Sequence, residues 1–123
     1  MKVLDKFLKF WLPVILWTGV IFILSAQPNL RTSWGIWDLI LRKIVHITEF
    51  AILTFLFMRA FKENVSFKKA LILSLVLAFL YAISDEYHQT FISGREGTVR
   101  DVLIDSIGIL GAGFWIRYKN TKF

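Results

Sequence analysis

Apolar residues in this 123-residue chain gather into four blocks, at 10–26, 44–61, 70–83 and 102–116, with Lys, Arg, Asp, Asn and Gly between them. A helix rises about 1.5 Å per residue, so about 20 residues are needed to cross the roughly 30 Å of bilayer hydrocarbon. The first two blocks come close to that length, and the last two reach it by taking in polar neighbours. At 56% hydrophobic residues the chain also exceeds the share expected of a soluble domain of its size. These features predict an all-α polytopic membrane protein, a single domain over residues 1–123. Its four-helix transmembrane bundle would have helices at about 7–26, 42–61, 67–90 and 99–118.

Several classes fall away. The net charge of +6 could suggest nucleic acid, but the basic residues sit at block ends, where they anchor helices. No basic stripe with interleaved aromatics lies on a polar surface, so no nucleic-acid partner is expected. Trp11, Trp17, Trp34, Trp37 and Trp115 fall mostly near block ends, as interfacial belts do. The absence of cysteine excludes disulfides, thiolate metal sites and a Cys nucleophile. Lys2, Lys6 and Lys9 before an apolar run resemble a signal peptide. That run is long and rich in Trp and Phe, and Leu24 would occupy the −3 position of a cut after Ala26, so an uncleaved first helix is expected.

With four helices, the N-terminus, the 62–69 loop and the C-terminus share one side of the membrane. That side holds Lys2, Lys6, Lys9, Arg59, Lys62, Lys68, Lys69, Arg117, Lys119 and Lys122, against Arg31, Arg42, Lys43, Arg95 and Arg100 on the other. Ten against five places both termini in the cytoplasm. His46 and Glu49 then lie in the outer third of the second helix, and Ser84 to Gln89 at the outer end of the third. Asp101 and Asp105 enter with the fourth at the same level. At about 100° per residue, Lys43, His46 and Glu49 share a sector of about 120°. Ser74, Tyr81, Asp85 and His88 make a stripe on the third helix, and Asp101, Asp105, Gly108 and Ala112 a narrower one on the fourth. Such stripes should face the bundle interior, because lipid offers polar groups no partner.

The ordered set SAQP (25–28), RKIVHITEFAIL (42–53), SDEYHQTFISGREG (84–97) and DVLIDSIGILGAG (101–113) resembles the VanZ-like family. These are small bacterial integral membrane proteins whose named member is associated with teicoplanin resistance. The likeness covers about residues 20–115. The matching polar positions are Gln27, Lys43, His46, Glu49, Asp85, Glu86, His88, Gln89, Gly94, Arg95, Asp101, Asp105 and Gly108. Ser93 stands where Pro is expected before the Gly-Arg pair, and Asp105 where Asn is a frequent alternative. The resemblance implies a setting in the bacterial cytoplasmic membrane and cell envelope rather than a reaction.

Each constellation has two readings. His46 and Glu49, at i, i+3, suit a metal-ligand or acid–base pair, with an inter-helix packing hydrogen bond as the alternative. Asp85 and His88 share a face that can complete a site with them, while Glu86 and Gln89 lie on an adjoining face; a plain helix end at the headgroups is the rival. Arg95 either clamps a phosphate or carboxylate or, preferably, pairs with Asp85, Glu86 or Asp101. Asp101 caps the fourth helix, whereas Asp105 is a cation or proton-sharing candidate. Gly108, Gly111, Ala112 and Gly113 read as close helix packing. Gln27 lines the outward mouth or simply meets water beyond the first helix, which Pro28 ends.

Together these residues predict an outward-facing polar pocket. His46, Glu49, Asp85 and His88 are its candidate catalytic groups, and Gln27, Lys43, Glu86, Gln89, Arg95, Asp101 and Asp105 its candidate ligand-binding groups. His46, Glu49, Asp85, His88 and Asp105 suit a divalent metal such as Zn or Mn. The expected partner is a membrane lipid or a lipid-linked envelope molecule. A metal-dependent or acid/base hydrolase or transferase is one alternative. The other is a cation- or proton-coupled transporter, which four short helices would form by oligomerising.

Overall fold

The computed structural model describes residues 2–25, 35–91 and 99–122, and these are helical throughout apart from short turns. In chain order the helices are α1 (Val3–Phe10), α2 (Leu12–Ser25), α3 (Ile36–Phe61), α4 (Phe67–Gln89) and α5 (Val99–Lys122).

The first apolar block, expected as one helix from about residue 7, begins earlier and is broken at Trp11. Pro13 explains the break, since it supplies no N–H to the carbonyl four residues back and its ring crowds that carbonyl. The chain still bridges the junction, with Trp11 N donating to Phe7 O (2.8 Å) and Ile15 N to Trp11 O (3.0 Å). α3 starts earlier than expected, at Ile36, after Gly35 turns the chain at a φ of 61°. α4 opens on Ser66, whose hydroxyl accepts from Lys69 N (3.4 Å).

Val3–Ser25, Ile40–Phe61 and Phe67–Gln89 are long and apolar enough to cross a membrane. α5 is long enough, at 24 residues, but Arg100, Asp101, Asp105, Arg117 and Lys119 give it too much charge for the same description. Its direction is clear all the same. Asp101 pairs with Lys43, and Asp105 lies 3.4 Å from His46, so α5 runs parallel to α3. α4 runs antiparallel to both, matching Tyr81 to Phe50 and Ser74 to Met58. α2 runs alongside α4, with Phe22 meeting His88 and Tyr81 meeting Thr18.

The core lies along the middle of α3, where Phe50, Leu53, Phe57 and Ala60 are buried against Ile21 and Val14 of α2, Ala78 and Ala82 of α4 and Ile109 of α5. On α4 the buried residues Ala70, Ser74, Ala78 and Ala82 recur every fourth position. A small-residue stripe of this kind lets helix backbones approach, which favours association where lipid removes any hydrophobic drive. Ser74 and Thr54, buried in the same region, donate back to their own helices at Ala70 O (2.7 Å) and Phe50 O (2.8 Å). Ile15, Ile72, Val76, Leu103, Ile107 and Phe114 point outward and exposed, as lipid-facing side chains would.

Candidate functional site

The polar residues gather at one end of the bundle, where α3 and α5 begin and α2 and α4 finish. What brings α5 close is Gly108. A Cβ at that position would collide with the backbone carbonyl oxygen of Ile47, so only glycine permits this approach. Asp105 lies one turn before Gly108 and His46 just before Ile47, and the close approach therefore presses the two side chains together. Gly113 packs the other half of α5, its would-be Cβ lying 2.7 Å from a Leu75 methyl. Gly111, grouped with these by spacing, has nothing within 4 Å of its would-be Cβ and takes no part in the close packing.

His46 is the hub. Its Nδ1 lies 3.4 Å from Asp105 Oδ1 and 3.9 Å from Glu49 Oε2. Asp85 arrives from α4, and ligand atoms of His46, Asp85 and Asp105 all lie within 4.8 Å of one another. Asp105 is 1% exposed, Asp85 4% and Glu49 5%. Oδ2 of Asp105 is buried and makes no hydrogen bond with the described residues. Lys43, one turn before His46, lies at the cluster's rim and is held by Asp101 at the start of α5.

The other predicted residues separate. Glu86 and Gln89, on the adjoining face of α4, are buried. His88, expected on the same face as Asp85, instead stacks its ring on Phe22 of α2, with ring centroids 4.3 Å apart. It is absent from the close trio formed by His46, Asp85 and Asp105. Tyr81 likewise turns to α2 and donates to the Thr18 carbonyl (2.6 Å). Gln27 and Arg95, with the rest of residues 26–34 and 92–98, lie outside the described residues.

Beside the cluster an apolar groove of about 330 Å³ runs between α4 and α5, lined by Val76, Phe79 and Leu80 on one side and Ser106, Ile109 and Leu110 on the other. Ser106 adjoins Asp105, so the groove starts at the level of the ionisable residues and continues into the apolar half of the bundle.

A family model described as VanZ/LLP1 matches residues 10–119. The chain belongs to the VanZ/LLP1 family. No curated protein and no solved structure matches the chain. The VanZ/LLP1 match spans every residue of the His46 cluster, together with the Lys43–Asp101 pair and the groove.

Three supporting residues carried no signal in the polar motifs of this VanZ/LLP1 chain. Phe22 holds the His88 ring. Trp17 donates from Nε1 to the Glu49 carbonyl (2.9 Å), tying α2 to the helix that bears the hub. The Ile47 carbonyl is the surface on which Gly108 rests. Of these only Phe22 had a legible clue, since Thr18, Phe22 and Ser25 share one helical face at i, i+4 and i+7.

Proposed function

We propose that this chain is a four-span protein of the bacterial cytoplasmic membrane, with both termini cytoplasmic and an outward-facing pocket. In this reading it binds the polar head of a lipid or lipid-linked envelope molecule. The observation that carries it is the meeting of His46, Asp85 and Asp105 from three helices beside an apolar groove. An amphiphile needs both surfaces: hydrogen-bonding groups for its head and a lipid-accessible cleft for its chain. Intramembrane ionisable groups that face a bundle interior mark ligand or ion sites by default.

The fourth span is supported by α5 lying parallel to α3 through the Lys43–Asp101 and His46–Asp105 pairs. Its acids are then sheltered by neighbouring helices rather than lipid. The ten-to-five distribution of positive residues supports the orientation. An alkaline phosphatase fusion near residue 95 should be active and one near residue 64 inactive; the reverse pattern would turn the pocket inward. The resemblance to a family whose named member is associated with teicoplanin resistance supports an envelope molecule as the ligand.

The head-group reading is tested by native mass spectrometry of the detergent-extracted protein. Wild type should retain an amphiphile, and Leu110→Trp, which fills the groove, should lose it. Ile15→Trp, exposed on α2 and not part of the α4–α5 groove, should keep it. Equal retention by both variants, or none by wild type, would sink the reading. A second reading, an acid/base hydrolase or transferase on the same ligand, draws on the 3.4 Å His46–Asp105 contact. A carboxylate there orients an imidazole as a general base does. A transporter is less favoured, because the core beyond His46 is filled by Phe50, Leu53 and Phe57.

A further inference from the structure

We infer that His46, Asp85 and Asp105 form a binding site for one divalent metal ion, Zn2+ or Mn2+. Metal–nitrogen and metal–oxygen bonds of about 2.1 Å at tetrahedral angles set neighbouring ligand atoms about 3.4 Å apart. His46 Nδ1 and Asp105 Oδ1 have that separation, at 3.4 Å. The third ligand atom, from Asp85, falls inside the same 4.8 Å envelope and needs only a small side-chain adjustment to close it.

A simple imidazolium–carboxylate pair is the competing account, and burial argues against it. Glu49, Asp85 and Asp105 all stand around His46 and are each 5% exposed or less. Oδ2 of Asp105, on a side chain 1% exposed, is buried without a hydrogen bond, although a buried carboxylate oxygen demands a donor or a cation. A divalent ion bound by the Asp105 carboxylate answers that need. One imidazole with two carboxylates suits borderline Zn2+ or Mn2+ better than the all-oxygen preferences of Mg2+ and Ca2+. Three protein ligands also leave coordination open, as in metal sites that act on a ligand rather than staple a fold.

The inference rests on the head-group reading only for what fills those open positions; the ion itself is tested alone. Full-length protein in detergent, stripped with a chelator and desalted, is titrated with Mn2+ and followed by electron paramagnetic resonance. One ion per chain is expected, displaced by Zn2+. Losing an outer partner of a metal ligand weakens binding about 10–100-fold, so His46→Ala and Asp105→Asn should each weaken it by at least about 100-fold. Ser84→Ala, exposed on α4, should bind as wild type does. If a variant elutes as aggregate, pulsed measurements on Mn2+-loaded wild type decide instead, and should show coupling to an imidazole nitrogen. Absence of stoichiometric Mn2+, undiminished binding in both variants, or no nitrogen coupling would overturn the site. A chain that binds no metal yet retains an amphiphile would overturn the site while leaving the head-group reading intact. A chain that binds metal and retains no amphiphile would support the site and sink that reading.

Discussion

The two ends of the bundle carry charge in opposite ways. At one end Lys9, Arg59, Lys62, Lys68 and Lys119 are exposed. Arg59 lies over the Phe10 ring at 4.9 Å and donates to the Lys9 carbonyl (3.1 Å), its stem covering apolar surface while its head stays polar. At the other end Glu49, Asp85, Glu86 and Asp105 are buried between helices. Exposed charges of the first kind fix a helix end at small individual cost. Buried groups of the second kind are costly unless partnered, so their gathering at one place is the stronger mark of a site.

The sharpest way to break this comparison is to force α5 off α3. Gly108→Ala places a methyl against the Ile47 backbone carbonyl, which no side-chain rotation relieves. Overpacking of this kind costs about 1–3 kcal/mol, and the shift should also part Asp105 from His46. The unfolding midpoint in detergent should therefore fall. Gly111→Ala meets open space and should be neutral or gain up to about 1 kcal/mol from helix propensity. Equal responses would mean that close approach is not what builds the polar end.

A smaller effect is expected at the rim. Lys43→Ala removes the ammonium that pairs with Asp101, in a pair whose side chains are 32% and 20% exposed. A loss of about 1–2 kcal/mol is expected, between the values for surface and buried pairs. Lys68→Ala, exposed at the opposite end, should change stability by less than about 0.5 kcal/mol. Chemical denaturation of the two variants side by side would measure the contrast, and matching losses would remove it.

Much of this was legible in the order of residues, and the exceptions have physical causes. The apolar blocks located the helices, because length and hydropathy are properties of a single segment. Equal depth of His46, Asp85 and Asp105 was also legible, since rise per residue is fixed. Which face meets which neighbour was not. Asp85 and His88 lie only about 60° apart on a helical projection, yet a helix in a bundle has two buried flanks. The flank facing α3 and α5 took Asp85, and Phe22 of α2 drew His88 to the other. The glycines divide in the same way: Gly108 and Gly111 look alike in composition, and only the neighbouring backbone tells them apart. Pro13 was a legible breaker whose effect on the first block went unread.

The smallest expected effects concern how α2 is fastened at each end. Tyr81→Phe removes a hydroxyl that donates to the Thr18 carbonyl at 2.6 Å. Interhelical hydrogen bonds in membranes average about 0.6 kcal/mol, because the separated helices also find partners. Arg59→Gln removes an exposed donor to the Lys9 carbonyl and should cost no more than about 0.5 kcal/mol. The two ends should thus be nearly indistinguishable in stability when only their fastenings are cut. Their consequences should still differ. Tyr81 holds the helix whose Phe22 stacks on His88, whereas Arg59 lies at the far end of α3 from His46. Tyr81→Phe should therefore speed hydrogen exchange in α2 near Phe22, and Arg59→Gln should leave exchange there unchanged. If Arg59→Gln loosens the Phe22 region as much as Tyr81→Phe does, the two ends are coupled through α2, and the separation drawn between them fails.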